Sequence, residues 1–318
     1  MGTAIASTDF KFPRQTSLYH GKVRDVYTVN DDLLIMVATD RISAFDVILA
    51  KPVPFKGQVL NQIAAHFLEK TSDIVPNWLQ AVPDPNVSVG FKAEPVLIEM
   101  IVRGSLVGSA WREYQAGVRE LCGTRLPEGL REYDVFKEPI ITPSTKAVEG
   151  HDQNVSPAEI VQKNLATSAE WDELADYALK LFSRGQEMAR AQGLVLADTK
   201  YEFGRLDGQL VLIDELHTPD SSRYFYADGY DNYVGGDNAA KPKQLSKEFV
   251  RAWLMERGFK GEAGQSLPDL SDDFVDQVSE RYIELYEQLV GQPFIRHEST
   301  DILERISKNI NHYLEVSV

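Results

Sequence analysis

Two stretches that lie far apart in the chain carry the residue types of a metal–phosphate site. In Asp198-Thr199-Lys200-Tyr201-Glu202-Phe203-Gly204 the residues Asp198, Lys200 and Glu202 alternate, so an extended segment places them on one face. Asp214 follows the apolar run Leu210–Ile213 and, with Glu215, adds carboxylates from a neighbouring segment. Carboxylates on adjacent strands with a Lys between them suit Mg²⁺ and a phosphate, because Mg²⁺ takes oxygen ligands and shares them with substrate phosphates. The competing reading is a solvated strand with cross-strand ion pairs.

Four other segments could hold an anion. Gly21-Lys22-Val23-Arg24-Asp25-Val26-Tyr27 puts a Gly and two cations at the opening of a hairpin, where backbone can approach a phosphate and Lys or Arg can neutralise it. It is neither a Walker A loop nor a GxGxxG fingerprint, and an exposed polar strand opening would look the same. In Val102-Arg103-Gly104-Ser105-Leu106-Val107-Gly108-Ser109 an apolar strand runs into Arg and small residues ahead of a helix, whose N-terminus favours phosphate; a plain strand–helix connection competes. Thr142–Asp152 concentrates hydroxyls, Lys146 and His151 in a loop bounded by Pro and Gly. Asp220-Ser221-Ser222-Arg223 is a turn ending in a cation. His20, His66, His217, His297 and His312 show no metal-ligand spacing, Cys122 has no evident base beside it, and neither GxSxG nor HExxH occurs.

The elements that must position these residues are partly readable. Val23–Val29 and Leu33–Thr39 flank Asn30-Asp31-Asp32 as a hairpin. Leu60, Ile63, Ala64 and Phe67 recur at helical spacing over Gln58–Lys70. Pro76, Pro83 and Pro85 predict loops, Pro95–Val102 a buried strand, and Leu106–Gln115 a helix. Thr124–Asn154 reads as one long structured loop, a length found in compact domains mainly where it serves function. Ser156-Pro157-Ala158-Glu159 and Thr167-Ser168-Ala169-Glu170 are capping boxes, the second opening a long helix that stops near Gly193. Leu194–Ala197 and Gln209–Asp214 read as strands about an Asp207-Gly208 turn. Helices are expected at Ser246–Arg257, Asp272–Val290 and Thr300–Leu314. Strands early and helices late predict an α+β fold, with a β-rich N-terminal lobe over 1–100 and a mixed lobe with a helical C-terminal region over 101–318.

Composition narrows the partners. The chain has 33 Lys+Arg against 48 Asp+Glu, a net charge of −15, and 43% hydrophobic residues. It is too apolar for a disordered chain. It is also too acidic for a nucleic-acid binder, although a locally basic pocket for a small anion remains compatible. The single cysteine excludes an internal disulfide and fits a reducing compartment. No apolar run approaches the ~20 residues that span a bilayer, and no signal peptide is visible. A cytoplasmic protein is expected.

Taken in order, seven segments closely resemble the SAICAR synthetase family: Gly21–Tyr27, Thr39–Val47 (TDRISAFDV), Val102–Ser109, Ile141–Asp152 (ITPSTKAVEGHD), Leu196–Gly204 (LADTKYEFG), Ile213–Glu215 and Pro219–Phe225 (PDSSRYF). The resemblance implies a two-lobed α+β fold with a kinase-like ATP site. It implies an ATP- and Mg²⁺-dependent ligase that joins L-aspartate to CAIR, the carboxyaminoimidazole ribonucleotide, through an acyl phosphate. The expected partners are therefore small molecules, with neither nucleic acid nor membrane. Carried over residue by residue, it places Gly21, Lys22, Val23, Arg24, Tyr27, Glu99 and Met100 at ATP, with Glu99 and Met100 bordering the adenine. It places Glu202 and Asp214 at the metal, and Lys200 and Asp198 at the reacting groups. Arg103, Ser109 and Arg223 fall at CAIR, and Ser43, Asp46, Ser144, Thr145, Lys146 and His151 at aspartate. This chain has Ser105 where some family members carry a second Arg.

Two rival readings follow from the same residues. A kinase acting on a hydroxyl would need an HRDxxxxN loop and a DFG segment, and the chain has neither. A non-catalytic nucleotide-binding module would lack the metal carboxylates or the lysine, and Glu202, Asp214 and Lys200 are all present.

Overall fold

The computed structural model describes residues 4–45, 47–146, 153–236, 240–245, 247–262, 264–299 and 301–317. The fold is α+β and divides into two compact units. The first comprises Met1–Leu68, Trp78–Lys92 and Leu245–Val318, the second Glu69–Asn77 and Ala93–Gln244.

The first unit is built on a five-stranded antiparallel sheet in the order Gln15–His20, Arg24–Val29, Leu33–Ala38, Val87–Phe91, Leu79–Asp84. The hairpin between Arg24–Val29 and Leu33–Ala38 turns through Asn30 and Asp31, whose φ angles of 53° and 67° suit the short polar side chains that tolerate left-handed backbone. Alternate strand residues Tyr27, Val29, Leu33, Ile35, Val37, Val87 and Val89 form one core with Ile302, Ile306, Ile310 and Leu314 of the Ile302–Ser317 helix. Those four recur every fourth residue, so one helix face meets the sheet. Each buried Ile stabilises the contact by about 1.5–3 kcal/mol relative to exposure.

This core corrects the lobe division expected at residue 100. The sheet's apolar face is covered by the C-terminal helix, so Leu245–Val318 belongs with the N-terminal strands, and the boundary near 100 falls at Lys92/Ala93. Sequence periodicity shows that a helix is amphipathic but not which sheet it covers. The loops expected around Pro76–Pro85 also give way to a strand, Leu79–Asp84. It lies at the sheet edge with irregular register, where a proline costs no ladder hydrogen bond.

The second unit carries the chemistry. Two long antiparallel strands, Glu94–Ser105 and Leu194–Leu206, lie at its centre. Each is long enough to pair with two shorter strands on its outer edge. Glu94–Ser105 takes Val135–Ile141 and Ser144–Thr145, while Leu194–Leu206 takes Gln209–Ile213 and Ser222–Tyr226. Four expectations change here. The strand expected to end at Ala197 continues to Leu206, so Asp198, Lys200 and Glu202 lie within it. The segment Thr124–Asn154 contains strands rather than a single loop. The Leu106–Gln115 helix begins at Gly108. A short helix, Ala227–Val234, was not expected.

Both capping boxes form: Ser156 accepts from Glu159 N and Thr167 from Glu170 N, and each Glu reaches back to its cap. The second opens the helix Ser168–Ala191. Its buried face (Leu174, Ala178, Leu181, Phe182) covers the side of the sheet bearing Thr199, Tyr201 and Phe203, with Tyr177 stacked on Phe203 at 6.4 Å. In the first unit the helix Asp272–Val290 runs as expected, from the Ser271 cap to Gly291. The other two C-terminal helices are Glu248–Glu256 and Ile302–Ser317; their expected first residues, Ser246 and Thr300, lie outside the described residues.

Candidate active site

Strand register assembles the site. Asp198 lies opposite Arg103, Lys200 opposite Ile101, and Glu202 opposite Glu99. Period-two alternation puts these six side chains on one face and Thr199, Tyr201, Val102 and Met100 on the other.

At one end of this face lies an arginine–carboxylate cluster. Asp198 Oδ2 accepts from Arg103 Nη1 at 2.9 Å and from Arg223 Nη1 at 2.5 Å. Arg103 also donates from Nε to Thr142 Oγ1 (2.8 Å) and from Nη2 to Ser109 Oγ (3.2 Å). Burial works against the charge of Arg103, and Asp198 is its main compensation. Two guanidiniums on one carboxylate leave a net positive patch beside the N-terminus of the Gly108–Gln115 helix, which no side chain caps. Positive side chains and unpaired helix N–H groups together make an anion site. Gly108 suits that position: its φ is 59°, and a methyl group on it would stand 2.4 Å from the Arg223 guanidinium, which would have to shift. Ser105, at the position where some family members have Arg, is buried and hydrogen-bonds to Tyr230.

At the other end, Lys200 Nζ donates to Glu99 Oε1 (2.7 Å) and Glu202 Oε1 (2.6 Å). Lys146 Nζ reaches Glu202 Oε2, and Ser144 Oγ donates to Glu99 Oε2 at 3.4 Å. Two glutamates directly across from each other repel unless a cation lies between them. Burial opposes the Lys200 charge, but Glu202, Glu99 and Asp214 outweigh it and hold the ammonium well above its usual range. Burial likewise raises the Glu202 carboxyl, while Lys200 and Lys146 bring it below the ordinary carboxylate range. Asp214 follows the Gln209–Ile213 strand with φ 62°. Among the described residues no group of three or more His, Cys, Asp or Glu is arranged to hold a metal ion. Facing carboxylates with hard oxygen donors nevertheless suit Mg²⁺, which commonly completes its shell from water and substrate phosphate.

The structure thus brings together Lys200, Asp198, Glu202, Arg103, Ser109, Arg223, Ser144 and Lys146, with Asp214 acting on Lys200 through its charge. Glu99 faces Lys200, and the Met100 side chain is fully buried on the reverse face. Thr145 Oγ1 accepts from Gln153 N. Asp46 and His151 lie outside the described residues.

In the first unit, Gly21 N donates to Arg24 O at 2.8 Å, closing the turn that exposes Lys22. Val23 O accepts from Thr39. The Tyr27 side chain is core, with its hydroxyl donating to Thr8 Oγ1, so it supports the strand from beneath. Ser43 is buried and accepts from Lys247 Nζ at 3.4 Å. Sequence reasoning missed Arg41, which donates to Gly21 O, Lys22 O and Asp25 and so fixes the cation-bearing turn. It lies within TDRISAFDV, but nothing local to it reports contacts twenty residues away.

A family model described as SAICAR synthetase matches residues 17–266. The chain belongs to the SAICAR synthetase family. The phosphoribosylaminoimidazole-succinocarboxamide synthase of Bacteroides thetaiotaomicron is 55% identical over 312 residues, covering 98% of this chain and 99% of that protein. The synthase of Flavobacterium psychrophilum is 54% identical over 313 residues, with 98% of each chain covered. Among solved structures, the SAICAR synthase from Saccharomyces cerevisiae complexed with SAICAR superposes with a TM-score of 0.75 at 34% identity, covering 87% of this chain and 96% of that one. The chain therefore shares both the fold and nearly the whole length of these relatives.

Proposed function

We propose that the chain joins L-aspartate to the carboxylate of CAIR, with ATP converted to ADP and phosphate, to give SAICAR. The enzyme is a carbon–nitrogen ligase of de novo purine biosynthesis. The observation that carries the assignment of residues is the single sheet face with a double-arginine anion site at Arg103 and a lysine between two glutamates at Glu99. Four residues of extended strand separate the two, about 13 Å at ~3.3 Å per residue. That spacing suits a ribonucleotide with its phosphate at one end and its carboxylate at the other.

Arg103, Arg223 and Ser109 bind the CAIR phosphate. Asp198 orients the CAIR amino group while holding both arginines. Lys22 and Arg24, with the backbone of Gly21 and Val23, neutralise the ATP phosphates. Lys200 stands at the carboxylate end, where its ammonium aligns the CAIR carboxylate with the γ-phosphoryl group. A carboxylate oxygen attacks γ-phosphorus, the bond to the ADP oxygen breaks, and an acyl phosphate forms. The aspartate amine then attacks the acyl carbon. The C–N bond forms, the amine loses a proton and phosphate leaves. Glu202 and Asp214, with Glu99 beside them, would hold Mg²⁺, which supplies positive charge to the transferring phosphoryl group. Catalysis is chiefly positioning and charge neutralisation, and a fixed ammonium costs no reorganisation when charge develops. Ser144, Lys146 and Ser43, with Thr145, Asp46 and His151, complete the aspartate-binding assignment. A cytoplasmic location belongs to the same reading; among the described residues no helix is long and apolar enough to cross a membrane.

A coupled ADP-release assay with ATP, Mg²⁺, CAIR and L-aspartate, omitting each in turn, tests this. Release that needs all four, with one SAICAR per ADP, is expected. Release without aspartate would point to another amine acceptor, and no release at all would favour a binding module.

A further inference from the structure

We infer that His217, buried on the reverse face of the site sheet, is a positioning residue that holds Asp214 near Lys200 and Arg223 against Asp198. The inference rests on the ligase reading above. His217 lies in the connection between the Gln209–Ile213 and Ser222–Tyr226 strands, which has Asp214 at one end and Arg223 just past the other. Both Asp214 and His217 have left-handed backbone, with φ 62° and 57°. Such conformations in residues with side chains persist only where the surroundings over-determine them.

His217 is fully buried, and its Nε2 lies 3.0 Å from the hydroxyl of Tyr201. Tyr201 sits between Lys200 and Glu202 on the same strand and points away from them. Tyr224 donates from its hydroxyl to the His217 carbonyl at 2.9 Å, and Tyr224 is the neighbour of Arg223. The Ser168–Ala191 helix leaves a hole for the imidazole at Gly185, where a methyl group would stand 1.8 Å from His217 Cε1. On the far side of the connection, Lys200 N donates to Ser221 O at 3.2 Å, and Thr199 and Ser222 hydroxyls meet at 2.7 Å. The imidazole thus fills the gap between the Ser168–Ala191 helix and Tyr201 of the strand that carries the reactive lysine. Burial alone pushes its pKa down to about 3, so it stays neutral across the working pH range and brings no charge to the site. The tyrosines that contact His217 are brought near it only by the fold, so no spacing in the sequence marks it.

The test uses the full-length enzyme. His217→Phe keeps a ring in the hole and removes the hydrogen bond; Tyr201→Phe removes the same bond from the other side. Displacing a reacting group by about 1 Å costs up to about 100-fold in rate. Both variants are expected to raise KM for CAIR about tenfold and to lower kcat, with KM for L-aspartate unchanged. The double variant should be no worse than either single one, because one bond is lost in each. A kcat lowered in proportion to folded protein, with every KM unchanged, would overturn the inference by making His217 merely structural. Should His217→Phe fail to fold, Tyr201→Phe decides alone. Amide hydrogen exchange supplies a readout independent of turnover: residues 214–223 should exchange faster in Tyr201→Phe, and unchanged protection refutes the anchor. If instead the wild-type enzyme shows no release dependent on CAIR and aspartate, the ligase reading fails while the exchange result still judges His217.

Discussion

Gly108→Ala isolates the anion site with one methyl group. The substitution forces alanine into φ 59°, which costs an L-residue about 1–2 kcal/mol. That is a stability effect, and it appears in thermal unfolding. The larger functional effect comes from contact. The methyl would stand 2.4 Å from Cζ and Nη2 of Arg223, so the guanidinium must move off the helix N-terminus. A charge-assisted hydrogen bond lost there amounts to about 1.5–3 kcal/mol. At 1.4 kcal/mol per tenfold, KM for CAIR should rise about 10- to 100-fold. KM for ATP and for L-aspartate should stay within about twofold, since neither is assigned to this end of the face. Steady-state kinetics with each substrate varied in turn measures this, beside a melting curve that separates folding from binding. Arg223→Ala should cost a similar amount, and combining the two should add little, because both remove one interaction. An unchanged KM for CAIR in folded Gly108→Ala protein would refute the placement of its phosphate at Arg223.

Other expectations follow from the same geometry. Lys200→Ala should lower kcat by about 1,000-fold or more while circular dichroism shows a folded protein, since Lys146 still pairs with Glu202; unfolding would make Lys200 structural. Arg205 and then Thr167 N hold the Glu170 carboxyl down at about 2, against an ordinary 4.5. Its contribution is therefore present above pH 4.5 and lost as pH falls toward 2. At its partly exposed position the effect is screened, so Glu170→Gln should cost about 1 kcal/mol at pH 7. Denaturant titrations should find that difference vanishing near pH 2, and a constant difference across pH would argue against the ion pair. A chelator should abolish ADP release and added Mg²⁺ restore it, whereas release insensitive to chelation would remove the metal role from Glu202 and Asp214.

The amino-acid sequence carries the local grammar. Both capping boxes, the Asn30-Asp31 turn and the Asp272–Val290 helix came from interactions within a few residues, and such interactions act alike in any surrounding. It also determined that Asp198, Lys200 and Glu202 share a face, because alternation is intrinsic to an extended chain. Seven ordered motifs were enough to identify the family. Tertiary structure alone decided the rest. Glu99 became part of the acidic pair only through the register that sets it opposite Glu202, and a shift of one residue would have turned it to the buried side. Val135–Ile141 and Ser144–Thr145 became strands because the Glu94–Ser105 edge offered unpaired backbone. The C-terminal helix joined the N-terminal sheet because that sheet had an apolar face to cover. Arg41, Gly108 and His217 gained their roles from partners or gaps that only the folded chain brings near. Local interactions are written in neighbouring residues, whereas burial, register and steric exclusion depend on which distant surface arrives.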